Sequence, residues 1–143
     1  MTVHHRGLRL DWLGYATLRI EGPGGTVVYV DPGRYGTLTG EWTPDSDGRR
    51  HPPGKDYRPE DGDLVCVSHV HHYDSDGIGR VASADATVVV HEAVHHSETD
   101  RDVTPVRDLP YNVLRVDDES DKLLADVIVR TTAAYNEPDG PHT

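Results

Sequence analysis

A polar segment in the middle of the chain holds the side chains best suited to chemistry. His69 and His71 are two positions apart and follow an apolar run that ends at Val67. Side chains two apart on an extended chain leave on the same face, so both imidazoles can reach one metal ion. Asp74 can reach the same point where the chain turns into a helix. Zinc accepts this nitrogen and oxygen ligand set, so the spacing predicts a metal site; the alternative is a polar loop whose histidines face solvent.

A second motif, His91-Glu92-Ala93-Val94-His95, matches the H-E-x-x-H pattern of zinc proteases. In that pattern two histidines one helical turn apart bind zinc, and the glutamate is the general base. The pattern needs a helix, whereas His91 follows a β-branched run that is typical of a strand. We keep a zincin-like metalloprotease as an alternative interpretation.

The elements that position these motifs are mostly strands. A Gly-Pro-Gly-Gly turn at residues 22–25 joins alternating segments into a predicted meander. A helix is predicted over residues 78–84 with Ser75 or Asp76 as its N-cap. Residues 103–116 are ambiguous, and His4-His5 is expected in a frayed terminus. The predicted strands are residues 8–12, 16–21, 26–30, 64–67, 86–90 and 126–130.

Residues 36–62 carry four prolines and show no periodicity. Structureless stretches of this length in a compact domain are usually binding loops or disordered inserts. We expect a loop that borders the site.

Composition limits the partners and the compartment. The net charge is −11, with 18 Asp, 12 Arg, 2 Lys and no Phe. Such a surface repels phosphate backbones, which excludes nucleic acid, and is typical of proteins that work in high salt. Apolar runs are too short for a membrane span and no signal peptide opens the chain, so we expect a halophilic, cytoplasmic protein. Cys66 is expected to be a small buried apolar residue.

Three segments resemble metallo-β-lactamase-fold hydrolases. They are Trp-Leu-Gly-Tyr-Ala-Thr at 12–17, Val-Tyr-Val-Asp-Pro-Gly at 28–33, and residues 64–74, in the order seen in that family. The Trp-Leu-Gly-x-Ala opening and the later Ala-Ala-Tyr-Asn at 133–136 are similar to the ascorbate-6-phosphate lactonase-like branch. The resemblance covers nearly the whole chain.

The resemblance implies a ligand set from the family motif H-x-H-x-D-H. His69 and His71 match its first two histidines. With one inserted residue, Asp74 keeps the aspartate role and Ser75 replaces the last histidine; without a gap, Tyr73 and Asp74 take those positions. We prefer the insertion because it keeps a carboxylate that can orient water. In both alignments one ligand of a second metal is missing, for which His72 or Asp76 could substitute.

The resemblance also implies an α+β fold, the αββα sandwich of two similar halves. This chain matches mainly the first β-sheet/helix half, so we expect one domain over residues 1–143 that is incomplete at its C-terminal end. Asp31 matches a position on the floor of the family's site, and His142 is the candidate for the later metal histidine. Half a sandwich exposes its inner sheet face, so we expect a homo-oligomer or a partner chain that supplies the second half.

The implied function is a metal-dependent hydrolase that binds zinc, as one or two divalent ions, with manganese as the alternative. A metal lowers the pKa of bound water and delivers hydroxide to an ester, lactone or phosphoester of a small-molecule substrate. Asp74 would both bind the metal and orient the nucleophile. The alternative is a non-catalytic half-domain that keeps the fold.

Overall fold

The computed structural model describes residues 1–43, 51–135 and 141–142, with side chains described up to residue 133. Its main element is a seven-stranded sheet whose strands lie side by side in chain order. The strands are β1 (Thr2–His5), β2 (Leu8–Gly14), β3 (Thr17–Glu21), β4 (Val27–Val30), β5 (Gly62–Val67), β6 (Ala82–His91) and β7 (Asn112–Val116).

The sheet is mixed. Strands β1 to β4 pair antiparallel, which confirms the predicted meander, and β4 to β7 pair parallel. Val30 pairs with Cys66, and Val67 pairs with Val90. The carboxyl ends of β4, β5 and β6 therefore meet at one edge, where open sheets of this kind place their ligands.

One face of the sheet packs against helix α1 (Ser75–Val81) and forms the core. Side chains alternate along the strands, so Val65 and Val67 face the helix together with Val88 and Val90 of the next strand. Each buried valine stabilises the fold by roughly 1.5–3 kcal/mol relative to an exposed one. The helix contributes the fully buried Ile78 and Val81 to the same core.

The prediction of a helix over residues 78–84 was wrong at both ends. The helix begins at Ser75, because Asp74 caps it by accepting a 3.0 Å hydrogen bond from the Gly77 amide. It ends at Val81, because Ala82 already belongs to β6 and pairs with Gly62.

The N-terminus also differs from the prediction. His4 and His5 lie in β1, which pairs with β2 in a register that puts His4 opposite Arg9. Backbone pairing with β2 fixes this segment, so it is a strand and not a frayed end.

The ambiguous segment 103–116 contains a 3-10 turn, Val106–Asp108, followed by β7. The predicted strand 126–130 is present as β9 (Val127–Arg130) and forms a hairpin with β8 (Asp121–Leu124). Two further short strands, β10 (Ala134–Tyr135) and β11 (Pro141–His142), pair with each other. Strand β8 was missed because it begins with the charged pair Asp121-Lys122.

The long loop after β4 starts with a 3-10 turn, Arg34–Gly36. Its described parts, residues 37–43 and 51–61, hold one isolated bridge between Thr39 and Asp56.

Across the described ranges the structure contains no helix long and apolar enough to cross a membrane. The molecule is therefore mostly sheet with few helices, in agreement with the expected fold.

Candidate functional site

The carboxyl-end edge of the sheet places Asp31 and Ser68 side by side. Asp31 follows β4, Ser68 follows β5, and the Asp31 amide donates to the Cys66 carbonyl at 2.9 Å. The Asp31 carboxylate is 5% exposed. It accepts hydrogen bonds from the Ser68 amide at 2.7 Å and from the Ser68 hydroxyl at 2.6 Å. Two hydrogen bonds from Ser68 thus fix this carboxylate in the floor of the edge.

Asp31 also binds His72, a residue that sequence reasoning named only as a possible substitute ligand. Its Oδ2 lies 2.8 Å from His72 Nδ1. A 3-10 turn over Val70–His72, with the His72 amide 3.0 Å from the His69 carbonyl, folds His72 back over Ser68. The adjacent pair His71-His72 was the sequence signal for it, but the turn that aims the second ring is not visible in a sequence pattern.

The hydrogen bonds of Ser68 determine which ring nitrogens carry protons. Its hydroxyl donates its single proton to Asp31, so toward His69 Nδ1 at 3.0 Å and His72 Nδ1 at 3.1 Å it accepts. In the neutral form of both rings, this arrangement assigns the proton to Nδ1 and leaves the lone pair on Nε2. This carboxylate-and-hydroxyl support of imidazoles is the arrangement that orients histidine ligands in metal sites.

The three histidine rings lie close together. Ring centroids are 4.1 Å apart for His69 and His72, 5.5 Å for His71 and His72, and 5.9 Å for His69 and His71. The sequence predicted that His69 and His71 meet because they leave the same face of an extended chain. That reason was wrong for His71, because β5 ends at Val67 and His71 lies in a 3-10 turn. The structure nonetheless brings both predicted histidines to one place.

Asp74 lies at the start of α1 with its two oxygens facing different groups. Oδ1 accepts from the Gly77 amide, and Oδ2 lies 4.0 Å from Arg101 Nη1. The fourth residue predicted as a ligand, His142, belongs to β11, and its side chain lies outside the described part of the chain.

An aromatic wall of Tyr15, Tyr35 and Trp42 borders the histidines. Tyr35 Oη lies 3.2 Å and Tyr15 Oη 3.5 Å from His71 Nε2. The Tyr15 and Tyr35 rings meet edge to face at 4.8 Å, and Tyr15 lies 5.9 Å from Trp42 in the long loop. Burial, together with the neighbouring Tyr35, raises the pKa of Tyr15. Trp42, within residues 36–62, contacts Tyr15 and Tyr35, and these two tyrosines in turn contact the histidine cluster.

The backbone around the cluster is strained at three non-glycine residues. Tyr15, Asp31 and Tyr35 have φ angles of 48°, 46° and 58°. Left-handed backbone costs such residues on the order of 1–3 kcal/mol and persists where the surroundings fix it, commonly at functional sites.

The H-E-x-x-H segment has a different structure from the one its zinc chemistry requires. His91 is the last residue of β6, and residues 92–95 form a turn and not a helix. His91 Nδ1 accepts from the Ala93 amide at 3.0 Å, and Nε2 lies 3.0 Å from Asp118 Oδ1. Both ring nitrogens therefore have protein partners.

Cys66 lies on the sheet face opposite α1, beside a cavity of about 270 Å³ between the sheet and the β8–β9 hairpin. Burial raises the pKa of its thiol to about 11, which keeps it neutral and weakly reactive.

The histidine cluster fits a metal in donor chemistry but not as a closed ligand set. Imidazole nitrogens suit zinc, and the two Nε2 lone pairs of His69 and His72 are set by their supporting groups. Within the described ranges, however, no three His, Cys, Asp or Glu side chains are arranged to hold a metal ion.

Comparison with known proteins identifies the family. The family model described as β-lactamase superfamily domain matches residues 9–143. No significant match was found among curated proteins or among solved structures. The match spans the sheet from β2 onward, the loop after β4 and the histidine segment, and the chain therefore belongs to the β-lactamase superfamily domain family.

Proposed function

We propose that this chain is a metal-dependent hydrolase domain that cleaves an ester, lactone or phosphoester with an activated water. The observation that carries the proposal is the pair of imidazoles, His69 and His72, whose Nδ1 atoms lie against Ser68 over the buried Asp31 carboxylate. Family membership supports a hydrolase fold in general. The resemblance to the lactonase-like branch favours a lactone or ester of a small molecule within that range.

Each side chain has a proposed role. His69 and His71 hold the ion, as the motif predicts, and His72 adds a third imidazole through Nε2. When bound, zinc or manganese would lower the pKa of a water and polarise the substrate. Asp31 acts through His72 as a positioning residue, because it fixes the tautomer and the ring plane.

Asp74 stays in the proposed ligand set as the group that orients the water. Its capping bond uses Oδ1, while Oδ2 faces the side where Arg101 lies. Asp74→Ser separates the two roles, since serine is also a good N-cap. We expect this variant to unfold at the wild-type urea concentration and to lose hydrolytic activity; unchanged activity would remove Asp74 from the mechanism.

Hydrolysis itself is the test of the proposal. Full-length protein is assayed on p-nitrophenyl acetate, a simple lactone and bis(p-nitrophenyl) phosphate, before and after chelator treatment and zinc or manganese addition. We expect turnover of at least one ester class that the chelator abolishes, the metal restores and His72→Ala reduces. Absence of metal-dependent turnover in folded, metal-supplemented protein would favour the non-catalytic half-domain.

A second element of the proposal is that another chain completes the molecule. Away from the β8–β9 hairpin, on β1 to β3, the sheet face opposite α1 carries partly or largely exposed apolar side chains, including Val3 at 49% and Leu18 at 37% exposure. We infer that a second copy, or a partner chain with the second half of the sandwich, covers this face. Acidic, lysine-poor composition supports a high-salt cytoplasm as the setting in which this occurs.

A further inference from the structure

A cavity of about 260 Å³ lies next to the histidine cluster, on the outer side of the 3-10 turn. Arg34 and Arg101 line it together with Val70 and His71. His71 thus borders both the histidine cluster and this cavity. Its ring lies in the cluster, and its backbone carbonyl faces the two arginines.

Both guanidinium groups converge on that carbonyl. Arg34 Nε donates to the His71 oxygen at 2.8 Å, and Arg101 Nη2 lies 3.5 Å from the same atom and donates to the Tyr73 carbonyl at 2.6 Å. Two cations that share one acceptor repel each other. Burial and the nearby Arg34 charge together lower the pKa of Arg101.

The side chain of Arg34 is held in position with donors to spare. Its guanidinium carbon lies 4.3 Å from the centre of the Tyr35 ring. Within the described part of the chain, Nε makes the one side-chain hydrogen bond found for Arg34, so its two Nη groups are not used by described residues. Pre-positioned guanidinium donors of this kind match the oxygens of phosphate and carboxylate groups.

Two acidic residues, Glu98 and Asp100, also line the cavity, and Asp74 lies 4.0 Å from Arg101. Glu98 and Asp100 are exposed, whereas both arginines are half-buried. Solvent and salt screen exposed charges far more than half-buried ones. The acidic pair therefore weakens anion binding in the cavity without cancelling it.

We propose that this cavity binds an anionic group, phosphate or carboxylate, of the substrate whose reacting ester lies over the histidine cluster. The statement that the bound anion is part of a substrate rests on the proposed function. The statement that the cavity binds an anion does not. It narrows the substrate class to small esters or lactones that carry a negative group beside the reacting bond.

Phosphate binding by metal-free, full-length protein tests the cavity without any contribution from a metal. Inorganic phosphate is titrated calorimetrically at low chloride and again in molar potassium chloride. We expect saturable binding that high salt weakens. Arg34→Gln should reduce the affinity about tenfold or more, since a charge-assisted hydrogen bond is lost.

Matched variants separate anion binding from folding. Arg107→Gln, at a side chain that is 78% exposed, should leave phosphate affinity unchanged. Glu98→Gln should strengthen phosphate binding several-fold by removing a repelling charge, a gain that damage to the fold cannot produce. No saturable binding by the wild type, or equal affinity in Arg34→Gln, would overturn the inference.

A parallel titration with acetate identifies the group. Tighter binding of phosphate assigns the cavity to a phosphorylated substrate, and tighter binding of acetate assigns it to a carboxylate. The two proposals fail separately: metal-dependent hydrolysis without phosphate or acetate binding overturns the cavity alone, and anion binding without hydrolysis overturns the proposed function alone.

Discussion

Asp31 and Ser68 are the residues on which the orientation of the histidine cluster depends. The buried carboxylate accepts from the Ser68 amide and hydroxyl and from His72 Nδ1. Because the Ser68 hydroxyl donates its proton to Asp31, it can only accept from His69 Nδ1, and this favours the His69 tautomer with the proton on Nδ1. A change of a few atoms at either position would alter which ring nitrogens can bind a metal.

Asp31→Asn is the residue-scale test of this arrangement. An amide cannot accept from Ser68 and His72 as a carboxylate does, so His72 loses its fixed tautomer. We expect zinc affinity to fall about 10–100-fold, as is usual when the supporting partner of a histidine ligand is changed. Competition with a chromogenic chelator measures the affinity.

The matched control is Asp118→Asn. Asp118 supports His91 at 3.0 Å in the same manner, but outside the proposed site. We expect this variant to keep wild-type zinc affinity; equal losses in both variants would mean that the metal binds elsewhere or that the loss reflects stability alone.

Cys66 gives a pH prediction at the same scale. Burial raises the pKa of its thiol from 9.0 to about 11, so the unfolded chain loses this proton before the folded protein does. The stabilisation is fully present below pH 9 and is lost as the pH rises toward 11, by about 1–3 kcal/mol in all. Urea unfolding of wild type and Cys66→Ala at pH 8 and pH 10.5 measures it, and the wild type should lose more stability. Parallel pH dependence of the two proteins would contradict the prediction.

At the scale of elements, helix α1 and the turn after β4 fix each other's position. A Cβ at Gly77 would lie 2.1 Å from the Pro32 carbonyl oxygen and 2.6 Å from Gly33 Cα. Gly33 itself has a φ of 108°, which side chains rarely adopt. This close approach holds Asp31 beside the start of α1, and with it the floor of the histidine cluster.

Gly77→Ala should therefore destabilise the protein and displace the site. We expect a loss of about 1–3 kcal/mol in the free energy of unfolding, as for other overpacked positions. Gly79→Ala, whose Cβ would meet nothing closer than 3.9 Å, is the control and should stabilise α1 by up to about 1 kcal/mol. Urea midpoints of the two variants give the comparison, and a neutral Gly77→Ala would refute the tight packing of α1 on the turn.

At the scale of the whole molecule, the sheet face opposite α1 determines the expected assembly. Leu18→Lys should lower the self-association of the chain, measured by light scattering on a size-exclusion column in molar salt, because it charges that face. Val113→Lys is the control, since Val113 is also 37% exposed but lies on the α1 face. A monomeric wild type that binds no partner, or equal effects of both substitutions, would contradict the assembly proposal.

Sequence patterns predicted much of this molecule. Apolar alternation located β2 and β3, apolar or β-branched runs located β4 to β6, and the order of three motifs led to the correct superfamily. The patterns failed where a single tertiary contact determines the local structure. The hydrogen bond from the Gly77 amide makes Asp74 the N-cap of α1, and pairing with β2 holds His4 and His5 in a strand. His72 was underrated because its position depends on a 3-10 turn and a hydrogen bond to Asp31, residues far apart in sequence.

Metal content per chain shows directly whether the histidine cluster binds zinc. Protein purified in high salt is incubated with zinc, passed through a size-exclusion column, and analysed for metal in a peak of known mass. We expect about one or two zinc ions per chain in the wild type, as for sites of this ligand type, and loss of bound zinc in the His69→Ala/His71→Ala double variant. A well-folded wild type without metal, or the same stoichiometry in the double variant, would contradict this expectation.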